Sequence, residues 1–218
     1  MEDIYALTTT ESNGIAMVEI EDGIYLIKNA LTDDEVSYLR NICDSASEED
    51  WHISYIKELT KQGVELHGDN QAEVQAYIDR NYNKYWADKV INVGNDPFCD
   101  SILDRIRPFF EGKYDLQRLY DIQRQKPGEG LDEHHDAGYD ERLLRAIIFY
   151  VNGDFNDGEL YFPKLNFEYK PQAGDFITFP SSKDYLHGVK IVGEGPSRYA
   201  LSGFAWAAGT IDSWTKDH

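Results

Sequence analysis

Hydrophobic and polar positions change rhythm about halfway along the chain. In the first half, apolar residues recur at helical spacing. Thr32-Asp-Asp-Glu35 matches a capping box, and Val36, Leu39, Ile42 and Cys43 follow on one face, so a helix is expected over 33–45. Asp96-Pro97 supplies an N-cap and a first-turn proline; Phe98, Ile102, Leu103 and Ile106 then form an apolar stripe that Pro108 disturbs near its end. A short helix is expected over 71–82, with Val74, Tyr77 and Ile78 on one side. Strands are expected at 23–28 and 51–59, a polar loop at 62–70 and an extended connection at 86–93.

The second half alternates over short, aromatic and β-branched runs: 116–125, 143–152, 159–163, 167–170, 174–180, 185–192 and 197–206. Turn-forming residues divide them, at Lys126-Pro-Gly, Asn156-Asp-Gly158, Pro171-Gln-Ala-Gly174 and Gly193-Glu-Gly-Pro196. Short strands at this spacing indicate an antiparallel sandwich or barrel. The expected class is α+β, mainly β: a double-stranded β-helix (jelly roll) with supporting N-terminal helices. It would form one domain, with helical support and first strands over 1–115 and the jelly-roll core over 116–206.

Composition narrows the field. With 218 residues, 41% hydrophobic, and 15 Tyr, 10 Phe and 4 Trp, the chain can fill an aromatic core. Its 21 basic and 40 acidic side chains leave a net charge of −19, which repels phosphate backbones and anionic membranes. Nucleic acid and membrane are therefore not expected partners, whereas a basic partner would be steered inward. No long apolar run or secretory leader pattern is present, and Cys43 and Cys99 are expected to be buried thiols, so a cytoplasmic setting is expected.

The candidate chemistry lies in Lys126-Pro-Gly-Glu-Gly-Leu-Asp-Glu-His134-His135-Asp136. In an extended strand, residues two apart point the same way, so His134 and Asp136 can share an ion while His135 faces elsewhere. His187 is a distal third ligand. Two histidines and one carboxylate with open positions suit the facial triad of non-haem Fe(II). Downstream, Arg198 opens an otherwise apolar strand, where a buried guanidinium needs an anion. A dicarboxylate such as 2-oxoglutarate matches its fork.

From Lys126-Pro-Gly and His134-His-Asp136, through Tyr150-Val-Asn152, Asp157-Gly-Glu-Leu-Tyr-Phe-Pro163 and Pro171-Gln-Ala-Gly-Asp175, to His187-Gly-Val and Arg198-Tyr199, residues 116–206 resemble the catalytic region of prolyl 4-hydroxylase-like Fe(II)/2-oxoglutarate-dependent dioxygenases. The opening Gly23-Ile-Tyr-Leu-Ile-Lys-Asn-Ala-Leu31 fits more loosely. The resemblance implies a jelly roll, Fe(II) on His134, Asp136 and His187, 2-oxoglutarate on Arg198, O2 as oxidant, and ascorbate as an accessory reductant. It also implies hydroxylation of a prolyl residue at the 4-position in a peptide or protein. Many members carry a tyrosine about nine positions before the first histidine to bond the co-substrate; here Gln125 stands there, and either its amide or Tyr120 fills the role. The retained Asp136 disfavours halogenation. Segments 48–71 and 138–142 are candidate lids, and Trp206 is a candidate wall residue. Two other readings stay open: a hydroxylase of a free amino acid or other small molecule, and a non-catalytic jelly-roll binding module.

Overall fold

The structure, a computed structural model, describes Leu7 and residues 10–53, 72, 75–77, 80, 89–94, 96–119, 121–138 and 140–211. Most of the expected strand 51–59, the loop 62–70, most of the helix 71–82 and most of the candidate lid 48–71 lie outside these residues, as does Tyr120.

Two sheets face each other. The larger joins β3 (Val18–Glu21), β4 (Ile24–Ile27), β13 (Phe176–Pro180), β10 (Leu143–Tyr150), β15 (Arg198–Ala207), β8 (Asp121–Gln125), β6 (Lys89–Asn92) and β5 (His52–Ile53) in that spatial order, and β7 (Tyr114–Leu116) also pairs with β15. The smaller is ordered β12 (Phe167–Tyr169), β11 (Leu160–Phe162), β14 (His187–Val189) and β9 (Leu131–His134). A separate hairpin, β1 (Glu11–Ser12) with β2 (Ile15–Ala16), precedes them. Every pairing between these strands is antiparallel. This is the expected jelly roll.

Alternation along the strands separates two cores. Ala146, Tyr150, Leu160, Phe162, Ile177, Phe179 and Ala200 pack between the sheets. On the other face of the larger sheet, Ile147, Phe149, Phe176 and Leu201 meet the helices through Leu39, Ile102, Ile106 and Phe110. The first helix, α1, spans Asp33–Ser45, the range its capping box predicts. The second, α2 (Pro97–Phe110), runs through Pro108 to Phe110, because the lost hydrogen bond is offset by burying Phe109 and Phe110. The 86–93 connection contains a true strand, β6, paired with β8. Cys43 and Cys99 are buried free thiols, with burial pushing Cys43 up to about 12. Among the described residues, no helix is long and apolar enough to cross a membrane.

The helices are tied together by charge as well as packing. Glu35 closes the capping box by accepting from the Thr32 amide at 2.7 Å, and Arg105 on α2 donates to both its carboxylate oxygens at 2.7 and 2.6 Å. Burial opposes the charge on Glu35, but Arg105 and Thr32 outweigh it and hold the carboxyl below its usual range. A depressed carboxylate stabilises the fold above its unfolded pKa and loses that contribution as pH falls through the folded value. Arg105→Ala is therefore expected to cost about 1–2 kcal/mol near neutrality. In denaturant melts run from pH 7 to pH 3, the gap from the unaltered protein should close below about pH 4. A gap constant with pH would mean that Arg105 acts through packing alone.

Candidate active site

The two sheets bring together residues that are far apart in sequence. His134 ends β9 and His187 begins β14, and the two are direct partners in the ladder of the smaller sheet. Their rings lie 4.4 Å apart by centroid. Asp136 departs from the strand geometry expected for it: β9 stops at His134, and Asp136 opens a 3₁₀ turn, Asp136–Gly138. The turn is pinned by the Ala137 amide donating to the Ser181 carbonyl at 3.0 Å, and it swings the carboxylate back toward both rings. Its oxygens lie 3.5 Å from His134 Nε2 and 3.8 Å from His187 Nε2. Ligand atoms of the three side chains all fall within 4.8 Å of one another, and among the described residues no other such group of histidine, cysteine or acidic side chains converges. His135, the expected spacer, is absent from the group; its ring lies over Gly138.

Both rings are oriented by the same local device. His134 Nδ1 is 2.8 Å from the Asp132 carbonyl and His187 Nδ1 is 3.0 Å from that of Tyr185, each two residues upstream. A carbonyl only accepts, so each Nδ1 carries the proton and each neutral ring presents the Nε2 lone pair to the shared space. Burial first, and the neighbouring His134 as well, push His187 down to about 4 against the pull of Asp136, so the ring is neutral near pH 7. Burial penalises Asp136 too, but His187, His134 and His135 hold it below the usual carboxylate range. One oxygen of Asp136 is buried with no hydrogen-bond partner. Two imidazole lone pairs converging with a buried, under-bonded carboxylate suit a divalent iron and are costly without a cation.

Glycine at 188 permits this pairing. A Cβ there would sit 2.7 Å from the Leu131 carbonyl oxygen and 2.8 Å from the Tyr161 hydroxyl. Gly188→Ala should wedge β14 away from β9 beside His187. Anaerobic iron titration is expected to show affinity falling about 10- to 100-fold, and unchanged affinity would mean that the sheet absorbs the methyl without moving the ligand.

A second polar cluster lies deeper between the sheets. Arg198 is 1% exposed and pairs across the ladder with Gln125, also 1% exposed. Its Nη1 donates to Gln125 Oε1 at 2.7 Å and its Nη2 to the Tyr150 hydroxyl at 3.3 Å. Gln125, expected to replace the missing tyrosine as a donor to the co-substrate, thus commits its oxygen to the arginine. Tyr150 was not singled out as a site residue. Its signal was available in the Tyr150-Val-Asn152 motif, because strand pairing sets it opposite Ala200, two positions from Arg198 on the same face. Guanidinium only donates, so the Tyr150 oxygen accepts and its own proton remains to be donated. Arg198 Nε is also buried without a partner. These donors suit an anionic acceptor, and the chemistry of a carboxylate such as that of 2-oxoglutarate fits them.

Trp206 shares a face of β15 with Arg198, Ser202 and Phe204; Arg198 is buried but Ser202, Phe204 and Trp206 are only half-buried, so the space between the sheets opens on that side. Trp206 Nε1 donates to Gln117 Oε1 at 3.0 Å, which fixes the indole along the wall of the opening.

Comparison with known proteins agrees with this geometry. Residues 120–206 match the family model described as the 2OG-Fe(II) oxygenase superfamily. The matched segment is thus similar to the domains of that superfamily, and it contains His134, Asp136, His187 and Arg198. Among curated relatives, a mimivirus (Acanthamoeba polyphaga mimivirus) protein named "Putative prolyl 4-hydroxylase" is 31% identical over 113 residues, covering 46% of this chain and 44% of the relative. Prolyl 3-hydroxylase 1 of Homo sapiens is 40% identical over 55 residues, covering 23% of this chain and 8% of that protein. The chain thus spans less than half the length of these relatives. Among solved structures, a Pseudomonas putida prolyl-4-hydroxylase superposes with a TM-score of 0.53 at 18% identity, over 85% of this chain and 93% of that one. A Trichoplax adhaerens prolyl hydroxylase, solved in complex with a hypoxia inducible factor oxygen degradation domain peptide fragment, gives 0.58 at 17% identity over 85% and 84%. These superpositions share the fold.

Proposed function

We propose that this chain hydroxylates an unactivated C–H bond, in a prolyl residue at its 4-position within a peptide or protein, coupled to oxidative decarboxylation of 2-oxoglutarate to succinate and CO2. The observation that carries the reading is the pairing of two under-satisfied sites between the same sheets: a His134, Asp136, His187 cluster suited to Fe(II), and an Arg198, Tyr150 pair lacking an anion. His134, Asp136 and His187 would hold the metal. Arg198, braced by Gln125, and Tyr150 receive the far carboxylate of the co-substrate. Bound iron supplies the activation of O2 that side chains cannot perform alone. The protein contributes three things: ring orientation through the Asp132 and Tyr185 carbonyls, neutralisation of metal charge by Asp136, and exclusion of water by Phe162 and Phe179. Those two phenylalanine rings lie 5.8 and 4.5 Å from the His187 ring. Trp206 and Phe204 form the wall that receives the substrate residue. The net charge of −19 favours a peptide with basic character.

Anaerobic addition of Fe(II) and then 2-oxoglutarate tests the core, through the metal-to-ligand charge-transfer band of a chelated 2-oxo acid. Prolyl-containing peptide arrays read for a mass gain of one oxygen test the substrate. A band without peptide turnover, but with turnover of a free amino acid, would replace the peptide reading by the small-molecule one. No band at all would leave a binding module.

A further inference from the structure

We infer that Lys28, Asp175 and Tyr169 form a positioning unit for the far carboxylate of the co-substrate, acting through Tyr150. The inference rests on the functional reading above and adds residues that touch neither the metal ligands nor Arg198.

Asp175 is fully buried, and three donors converge on a single one of its oxygens. These are Lys28 Nζ at 2.9 Å, the Gln172 amide at 2.8 Å and the Tyr169 hydroxyl. Lys28 Nζ also donates to the Tyr169 oxygen at 3.0 Å. The other Asp175 oxygen is buried with no partner. A turn in the Pro171–Asp175 segment needs only the Gln172 bond. Lys28 comes from just beyond β4 of the larger sheet and Tyr169 from β12, at the edge of the smaller, so the carboxylate ties the two sheets together. A charge this buried is expensive unless paired, and removing one partner costs more than the pair contributes.

The link to the pocket is direct. The Tyr150 amide donates to the Asp175 carbonyl at 2.8 Å, and the Gly174 amide donates back to the Tyr150 carbonyl at 2.8 Å. The Tyr150 and Tyr169 rings lie 6.4 Å apart by centroid. Burial first, and the Asp175 charge after it, hold the Tyr150 phenol above its usual range against the opposing pull of Arg198, so Tyr150 keeps the proton it must donate. Lys28, whose side chain is 54% exposed, is then a surface cation that fixes a buried anion behind the pocket. Coupled polar networks of this kind respond to loss of any one member.

Three variants test this, with anaerobic titrations that separate iron from 2-oxoglutarate. Tyr169→Phe and Lys28→Met are each expected to raise the 2-oxoglutarate concentration at half-saturation of the charge-transfer band about 5- to 10-fold, with iron affinity held within about twofold. Lys28→Arg, which restores the cation, is expected to recover most of the loss. A second readout needs neither metal nor co-substrate. In apoprotein carrying ¹³C-labelled tyrosine, the Tyr150 ring resonance, assigned by its loss in Tyr150→Phe, should shift in both variants. A stationary resonance overturns the coupling, and so does a parallel loss of iron and 2-oxoglutarate binding. Absence of any 2-oxoglutarate-dependent band in the unaltered protein would instead count against the functional reading, while the resonance still reports whether the unit governs Tyr150.

Discussion

Asp136→Ala is expected to abolish turnover and lower iron affinity by about a thousandfold or more, equivalent to about 4 kcal/mol. The carboxylate is the only anion in the triad, and its oxygens approach both imidazole Nε2 atoms at 3.5 and 3.8 Å. Without it, two neutral nitrogens remain to bind a doubly charged ion. Iron retained after anaerobic loading and desalting gives the measurement, and near-normal retention would show that the metal is held elsewhere. The apoprotein should melt within a few degrees of the unaltered protein, because the cost of a buried carboxylate oxygen without a hydrogen-bond partner and the attraction of the neighbouring histidines for the ionised group oppose each other. A large fall in melting temperature would mean that Asp136 organises the turn rather than the ion. Asp136→Asn separates charge from shape: it keeps the side chain's size and should lose nearly as much iron.

Arg198→Ala carries the second large effect. Two directed bonds hold the guanidinium in place, from Nη1 to Gln125 and from Nη2 to Tyr150, and its Nε has no partner. Truncation removes the positive charge that pairs with the co-substrate and leaves two polar side chains facing a cavity. The 2-oxoglutarate dissociation constant is expected to rise about 100-fold or more, since charge-assisted bonds to a carboxylate contribute about 1.5–3 kcal/mol each. Iron affinity should move by less than about threefold, because Arg198 is not a ligand. Equal losses of iron and 2-oxoglutarate would show that Arg198 supports the fold rather than the co-substrate. Arg198→Lys should lie between the extremes, retaining the charge but losing the fork that lets one group meet Gln125, Tyr150 and a carboxylate together.

Local patterns predicted much of the architecture. The Thr32 to Glu35 capping box placed α1 over Asp33–Ser45, and the alternating runs of the second half placed most strands of the jelly roll within a few residues. These signals are local: a cap acts within one turn, and alternation reports which face of a strand is buried. The site was legible to the same depth. His134, Asp136, His187 and Arg198 could be named because their chemistry is unusual for their surroundings: a tight His-x-Asp, a histidine after an apolar strand, a guanidinium at a strand start. Strand 89–92 was obscured because Lys89 and Asn92 bracket only two apolar residues. Its place in the larger sheet comes from pairing with β8, a contact that no short window of sequence records.

The chain by itself determined which groups are available: two imidazoles and a carboxylate, one arginine beyond them, and Gln125 nine positions before the first histidine. Tertiary structure decided how they meet. Asp136 reaches His134 and His187 from a 3₁₀ turn, not from the strand that its spacing suggested, because the Ala137 to Ser181 bond bends the backbone there. Gln125 became a brace for Arg198 because ladder register sets the two opposite each other. Tyr150 meets Arg198 because β10 lies beside β15, and Lys28 and Asp175 stand behind it through a contact that joins the end of β4 to the start of β13. Residue type sets what a side chain can donate or accept. Strand register and turn geometry select its partner, and they depend on long-range pairings whose energy comes from burying both sheet faces at once.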